Sequence, residues 1–264
     1  MPPESQVTVV IPCYNCALTI RRAFASVIAQ TRLPNQIIFV NDCSTDNTLS
    51  VLQTLVAPRK VDITIINLQT NGGPANARNI GIDTSNNDLI AFLDADDTWH
   101  SMKLQIQMHF MDENPTCLLS GHRVLYRKEY SHTPVKEVFS CYEITLRRLI
   151  FKNYFNTPSV LLRRGSLRFP SDFRYAEDYC FWLSLANDGG QLFFIDSPLG
   201  YVHKPFYGHS GLSSSLHLMH KYEMLALSKF RNSMSINRGY FVLSIWFAKI
   251  KYLLRIIKSI IRKF

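Results

Sequence analysis

The chain has 264 residues, 47% of them hydrophobic and 19% charged, a make-up that fits a folded globular protein and excludes a disordered or collagen-like one. Its net charge of +9 is uneven: all 20 Asp and Glu precede residue 224, whereas residues 224–264 hold nine of the 29 Lys and Arg. A nucleic-acid binder would spread basic groups over the folded domain, so a neutral body with a basic apolar tail argues for an anionic membrane surface and no nucleic acid.

The first hundred residues alternate short apolar runs with helical patterns. "VTVVIP" (7–12) is followed by a helix over 17–30, "QIIFV" (36–40) by a helix from Asp46 to about Leu55, "DITIIN" (62–67) by a helix from Pro74, and "LIAFL" (89–93) closes the series. Alternation of this kind predicts an α/β fold with a mostly parallel, Rossmann-like sheet and helices on both faces. Nearly continuous apolar runs suit strands buried on both sides. Polar turns follow each strand at Pro12–Asn15, Asn41–Asp46, Asn71–Asn76 and Asp94–Thr98. In open α/β sheets ligands bind beyond the carboxyl ends of the strands, so these turns define the expected site.

After Trp99 the pattern is mixed: a helix over 100–113, extended segments from 117 to 140, a helix over 143–152, an extended "TPSVLLR" (157–163), a helix starting near Glu177, and strands at 191–196 and 199–204. The expected organisation is one domain over 1–220, with a nucleotide-binding half (1–100) and an acceptor-side half (101–220) against the same sheet. The segment "FYGHSGLSSSLH" (206–217) reads as a loop suited to a lid or to plain solvent. Residues 221–264 are expected to be a basic amphipathic helical region. On a helical wheel Lys251, Arg255, Lys258 and Arg262 cluster opposite Leu253, Leu254, Ile257, Ile260 and Ile261, with "YFVLSIWFA" (240–248) upstream. No apolar stretch reaches the roughly 18 residues of a bilayer span, and "MPPESQVTVVIP" lacks the marks of a signal peptide. The expected location is therefore cytoplasmic, peripheral on the inner face of the membrane, with the six cysteines as free thiols.

"LIAFLDADD" places three carboxylates in four positions at a strand end. One Asp suffices to cap the helix expected near Trp99 or His100. The others call for a hard divalent cation, which takes one or two carboxylates plus nucleotide phosphates, and Asp94 and Asp96 are the natural pair. In "FVNDCSTDNTL" the Ser44–Thr48 stretch reads as an N-cap, while Asp42 lies at the ligand edge and can accept a base N–H. In "NGGPANARNIG" Gly72 and Gly73 permit close backbone approach, and Arg78 is placed to neutralise Asp42 or Asp94 or to bind the nucleotide. No Gly-x-Gly-x-x-Gly follows a strand, which disfavours a dinucleotide site. "Glu177-Asp178" reads either as the cap of "YCFWLSLA" or as an acid/base pair.

"VVIPCYN", "VNDCSTDNT", "NGGPANARNIGI", "AFLDADDTW" and "AEDYCFWLSLA" occur in the order and spacing of family 2 glycosyltransferases with the GT-A fold, which this chain resembles over residues 7–186. The resemblance implies an inverting hexose transfer from a nucleoside-diphosphate sugar, UDP-glucose or UDP-galactose, to a lipid-diphosphate-linked saccharide, as in bacterial surface-polysaccharide synthesis. It implies that Pro12, Tyr14 and Asn15 floor the nucleotide pocket, Asp42 meets the base, and Arg78 and Glu177 belong to donor binding. By the same resemblance Asp94 lies near the ribose and metal, Asp96 ligates the metal, Mn²⁺ or Mg²⁺, and His203 is a third ligand or phosphate contact. Asp178 becomes the general base. Cys43 stands where the family often has Gly, a harder residue for a left-handed turn. Two rivals are a non-catalytic sugar-nucleotide-binding membrane scaffold and a thioredoxin-like redox protein built on "CYNC", which leaves the acidic loops unexplained.

Overall fold

The structure is a computed structural model and describes residues 5–126, 139–204, 215–232 and 236–261. Its first part follows the predicted alternation: β1 (Val7–Cys13), α1 (Ile20–Ile28), β2 (Gln36–Asn41), α2 (Thr48–Leu52), β3 (Asp62–Asn67), α3 (Gly73–Thr84) and β4 (Leu89–Phe92). These four strands are parallel in the order β3-β2-β1-β4. The chain steps outward from β1 to β3 and then returns to the other side of β1, so the order reverses between β1 and β4. A crevice opens at the carboxyl ends of strands at such a reversal.

Alternate residues of β1 serve two cores. Val7, Val9 and Ile11 pack with Ile20, Phe24 and Val27 of α1 and with Leu104 and Met108 of a later helix. Val10 points to the opposite face, with Ile82 of α3 and the aromatic group Phe155, Phe169, Phe181 and Trp182. The α3 backbone lies so close to β1 that a Cβ on Gly81 would meet Val10 Cγ1 at 2.3 Å.

The second part continues the same sheet. It comprises β5 (Thr98–Trp99), α4 (Lys103–Glu113), β6 (Cys117–Tyr126), β7 (Cys141–Glu143), α5 (Leu146–Leu149), β8 (Leu161–Arg163) behind a 3₁₀ turn at Thr157–Ser159, α6 (Glu177–Asn187) and β9 (Gln191–Val202). The strand order runs on as β8-β6-β9-β5, with β7 on β9. β8 lies antiparallel to β4.

Several predicted boundaries change, each for a tertiary reason. The helix expected near Trp99 starts at Lys103, because Thr98 and Trp99 pair with Tyr201 and Gly200 of β9. That pairing is pinned from behind: Trp99 Nε1 donates to the Pro158 carbonyl at 2.7 Å, and the buried Lys103 Nζ lies 3.8 Å from the Trp99 ring centroid. The helices expected over 46–55 and 143–152 shorten to α2 and α5, and the two strands expected over 191–204 are one, whose register against β6 shifts near Arg123. Of the predicted loop 206–217, residues 206–214 lie outside the described residues, while Leu216 and His217 already belong to a helix, α7 (Leu216–Lys229).

The tail is the 24-residue helix α8 (Arg238–Ile261), packed on α7. Two cations of its basic face turn toward the body while Lys258 stays exposed. Lys251 Nζ bonds Glu223 Oε1 at 2.8 Å and the Phe151 carbonyl at 3.1 Å, and Arg255 pairs with the other Glu223 oxygen. A carboxylate on α7 therefore turns those two cations inward, which the helix's own sequence cannot show. Among the described residues no helix is long and apolar enough to cross a membrane.

Gly81→Ala tests the α3–β1 contact. Alanine in a helix is otherwise favoured over glycine by about 1 kcal/mol, but overpacking here should reverse the sign and cost about 1–3 kcal/mol in urea unfolding.

Candidate active site

The polar turns that follow β1, β2 and β4 meet at the crevice. Asn15 Oδ1 accepts from the Thr45 amide at 2.8 Å, the Cys16 amide donates to Thr48 Oγ1 at 2.8 Å, and Asp46 accepts from the Ala17 and Thr48 amides. The turn after β1 is thus stitched to the start of α2, and Tyr14 is left 53% exposed at its tip. Pro12 sits one residue earlier in the strand, paired with Val40 of β2.

Asp42 is 3% exposed and binds the next loop with both oxygens: the Gly72 amide donates to Oδ1 and the Gly73 amide to Oδ2, each at 2.8 Å. Gly73 has φ +80°, which is why the double glycine can bring two successive amides onto one carboxylate. Any bond from a nucleobase must use the remaining lone pair of these oxygens.

Arg78 resolves the choice the sequence left open. Its Nη2 donates to Asp94 Oδ1 at 2.9 Å and its Nη1 to Glu177 Oε1 at 2.8 Å, with the Phe169 ring beside it. Burial by itself would lower the guanidinium's pKa, yet Asp94 and Glu177 hold it above its ordinary value. Arg78 and Glu177, expected among the donor-binding groups, are engaged with each other. They tie the first turn of α6 to the end of β4.

Asp178 follows directly. It is half-buried, its Oδ1 accepts from the Tyr179 amide at 2.7 Å, and burial together with the adjacent Glu177 carboxylate pushes its pKa up to about 7. A carboxylate poised near neutrality is suited to take a proton from a hydroxyl.

The three aspartates after β4 are not equivalent. Asp94 is held by Arg78, and Asp96 Oδ2 is 2.8 Å from Lys204 Nζ while its carbonyl accepts from Arg22. Asp97 is 7% exposed, and burial, then the charges of Asp94 and Asp96, raise its pKa well above the usual carboxylate range. It takes the His203 backbone N–H and caps no helix, since α4 starts six residues later. The His203 ring is hydrogen-bonded through Nε2 to Thr98 Oγ1 at 2.9 Å, so the expected third ligand is turned toward β5.

Among the described residues no three His, Cys, Asp or Glu side chains gather to hold a metal by themselves. Asp94 and Asp96 each commit one oxygen to protein, and the Lys204 ammonium on Asp96 shows that positive charge is accommodated there. This donor set fits a divalent cation whose coordination is completed by a diphosphate, and does not fit a resident all-protein site. Lys204 and Arg22 were not singled out from the sequence: a Lys after a strand and an Arg on an amphipathic helix carry no local signal. Among the described residues three non-glycine residues have positive φ, Asn15 (49°), Cys43 (58°) and Ala176 (52°), and they stand next to Tyr14, Asp42 and Glu177 respectively. Cys43 thus adopts the left-handed turn that its side chain disfavours.

The model of the family described as "Glycosyl transferase family 2" matches residues 8–168. The chain belongs to glycosyltransferase family 2. It is 31% identical over 180 residues to an uncharacterised glycosyltransferase of Haemophilus influenzae, covering 67% of this chain and 70% of that one. It is 30% identical over 183 residues to the Escherichia coli UDP-Glc:alpha-D-GlcNAc-diphosphoundecaprenol beta-1,3-glucosyltransferase WfgD, covering 69% and 70%. A Rickettsia conorii relative is 32% identical, but the match spans 70% of this chain and only 30% of that protein. Among solved structures, S. aureus TarS 1-349 in complex with UDP-GlcNAc superposes with a TM-score of 0.71 at 20% identity, over 95% of this chain and 72% of that one. The Pyrobaculum calidifontis mannosyltransferase PcManGT, in complex with GDP-Man and Mn²⁺, superposes at 0.65 and 16% identity, over 94% and 74%. The glycosyltransferase has the GT-A fold, and the thioredoxin-like alternative falls. Cys13 and Cys16 are buried free thiols of β1 and the turn that follows it.

Two outcomes test this geometry. Arg78→Ala leaves two carboxylates facing each other without their cation and should destabilise by about 3–5 kcal/mol in chemical unfolding. In calorimetric titrations Mn²⁺ should bind the wild type roughly tenfold or more tightly once UDP is present, because the diphosphate supplies the missing ligands.

Proposed function

We propose that this glycosyltransferase moves a hexose from a nucleoside-diphosphate sugar, UDP-glucose or UDP-galactose, to a sugar hydroxyl of a membrane-held, lipid-diphosphate-linked saccharide, with inversion to a β-linkage, in O-antigen or capsule synthesis. The observation that carries the transfer is the Arg78 bridge. It brings the first turn of α6, with Asp178, to the strand end that bears Asp94 and Asp96. The UDP donor and the lipid-linked acceptor are supported by relatives such as WfgD, which is named as a glucosyltransferase from UDP-Glc to a diphosphoundecaprenol-linked GlcNAc. An acceptor of this class gives the basic tail, residues 240–264, a use on an anionic membrane surface, and the proposed location is peripheral on the cytoplasmic face.

Each group then has a task. Pro12, Tyr14, Asn15 and Asp42 form the base-binding floor, with Asp42 fixed rigidly by the Gly72 and Gly73 amides. Asp94 and Asp96 would hold Mn²⁺ or Mg²⁺, and the cation would offset the charge that grows on the departing nucleoside diphosphate. Lys204, with Nζ 2.8 Å from Asp96 Oδ2, supplies a further positive charge at this end of the site. Asp178 accepts the proton of the acceptor hydroxyl as its oxygen attacks the anomeric carbon from the side opposite the leaving group. A single displacement of this kind inverts that carbon and needs no covalent enzyme intermediate. Arg78 and Glu177 position the base and Asp94 together, so donor and acceptor ends of the site keep one spacing.

Donor identity is tested by incubating the purified protein and Mn²⁺ with a panel of nucleotide sugars and measuring nucleotide release; turnover of none would sink the transferase assignment for these donors. Asp178→Asn should lower kcat by about 10²–10⁴-fold while leaving nucleotide affinity within about twofold. The base works as a carboxylate, so wild-type transfer should rise with pH through about 7, with the acid limb absent or moved in Asp178→Glu. An acid limb near the ordinary carboxylate pKa would contradict the role given to Asp178.

A further inference from the structure

The side of α8 that faces away from the body is apolar from Leu243 to Ile257. Leu243 (58% exposed), Trp246 (64%), Ile250, Leu253 (57%), Leu254 and Ile257 all project from it. At 100° per residue the exposed apolar side chains sweep an arc of roughly 140°. Lys249 and Lys258, both exposed, border that arc on its two sides.

This orientation is enforced. Glu223 draws in Lys251 and Arg255, the Tyr252 ring stacks on His220 at 4.3 Å, and Phe247 meets Phe151 edge-on at 5.9 Å. The helix cannot roll to bury its ridge without breaking that clamp. Next to the ridge, α7 and α8 enclose a groove of about 410 Å³, lined by the apolar Met224, Phe241, Val242 and Ile245 with Arg231 and Arg238 among them. An apolar slot that carries two guanidinium groups matches one acyl or isoprenyl chain and its phosphate.

We infer that the outward face of α8 and the adjoining α7–α8 groove form a lipid-docking surface that lays this helix in the interface of an anionic membrane. The inference deepens the membrane part of the proposed function and rests on it for its purpose. The occupant is lipid and not a second copy of the chain because of charge. No carboxylate occurs from residue 224 onward, so two such faces packed together would oppose their lysine borders with nothing to neutralise them. Anionic headgroups supply the missing charge, while the Trp and Leu ridge enters the acyl boundary. At 1.5 Å per residue α8 is roughly 36 Å long, enough to hold the body at a fixed attitude to the surface.

The test uses the full chain and vesicles of phosphatidylethanolamine with phosphatidylglycerol, with phosphatidylcholine vesicles for comparison. Wild type should sediment with the anionic vesicles and show a blue shift of tryptophan emission that Trp246→Phe abolishes, since Trp99 and Trp182 are already buried. Leu243→Glu/Leu253→Glu should weaken vesicle binding by roughly tenfold or more, with unchanged thermal melting and unchanged nucleotide release from a soluble donor. Arg231→Glu/Arg238→Glu should remove the preference for anionic vesicles. Wild type that stays in the supernatant, or a Leu243→Glu/Leu253→Glu variant that still pellets, would overturn the inference. So would a wild-type dimer in sedimentation velocity that the same variant dissolves. Vesicle binding with no donor turnover would support this surface and count against the transferase reading alone.

Discussion

A buried guanidinium holds the working parts of this enzyme in register. Arg78 comes from α3, Asp94 from the end of β4 and Glu177 from the first turn of α6, three elements far apart in sequence that share one hydrophobic core and whose charged groups are joined by that side chain. Replacing such a trio with apolar side chains is commonly no worse for stability, so its value here is specificity: it sets where Asp178 stands relative to the strand ends. It also divides the acidic groups electrostatically. Asp94 faces a cation, while Asp178, beside Glu177 and largely out of water, is held near neutrality. In the proposed mechanism these two carboxylates of one cleft do opposite work, one on the side of the leaving group and one on that of the incoming hydroxyl.

The strained backbone lies in the same places. Left-handed conformations at Asn15, Cys43 and Ala176 cost of order 1–2 kcal/mol each for residues with a Cβ. Each one re-aims the chain beside a proposed site residue. The surrounding bonds over-determine them: Asn15 is held by Ser44 and Thr45, and the Asp42–Cys43 turn by the Gly72 and Gly73 amides and by Asn71. Strain of this kind persists where a fixed geometry is useful. The electrostatic crowding at Asp94, Asp96 and Asp97 belongs with it, relieved in part by Arg78 and Lys204.

The fold was legible because its first half obeys simple periodicities. Four apolar runs, each followed by a polar turn and a helix, leave few arrangements other than a parallel sheet with its polar turns at one edge. The candidate residues Asp42, Asp94 and Asp96 stood out as acids at strand ends against apolar neighbours, whereas Asp178, which reads equally well as a helix cap, was singled out only by the resemblance to family 2 glycosyltransferases. Less readable was anything decided by a distant partner. Nothing in "DDTWHSMK" reveals that Thr98 and Trp99 pair with a strand a hundred residues away, so the helix start was placed too early. Nothing near His203 shows that its ring bonds Thr98, and Lys204 carries no local mark of its place beside Asp96.

The tail shows the same boundary between sequence and structure. Sequence alone determined that it is helical, basic and amphipathic, because those properties follow from side-chain identity and a 3.6-residue period. Which face points away from the body was decided by tertiary structure. Glu223, on another helix, captures Lys251 and Arg255 and leaves the apolar side outward. In the active site, likewise, sequence supplied the carboxylates and the turns that carry them. Tertiary structure decided which carboxylate is paired, which is desolvated and which is left for a ligand. Those properties depend on charges and low-dielectric surroundings contributed by residues far away along the chain.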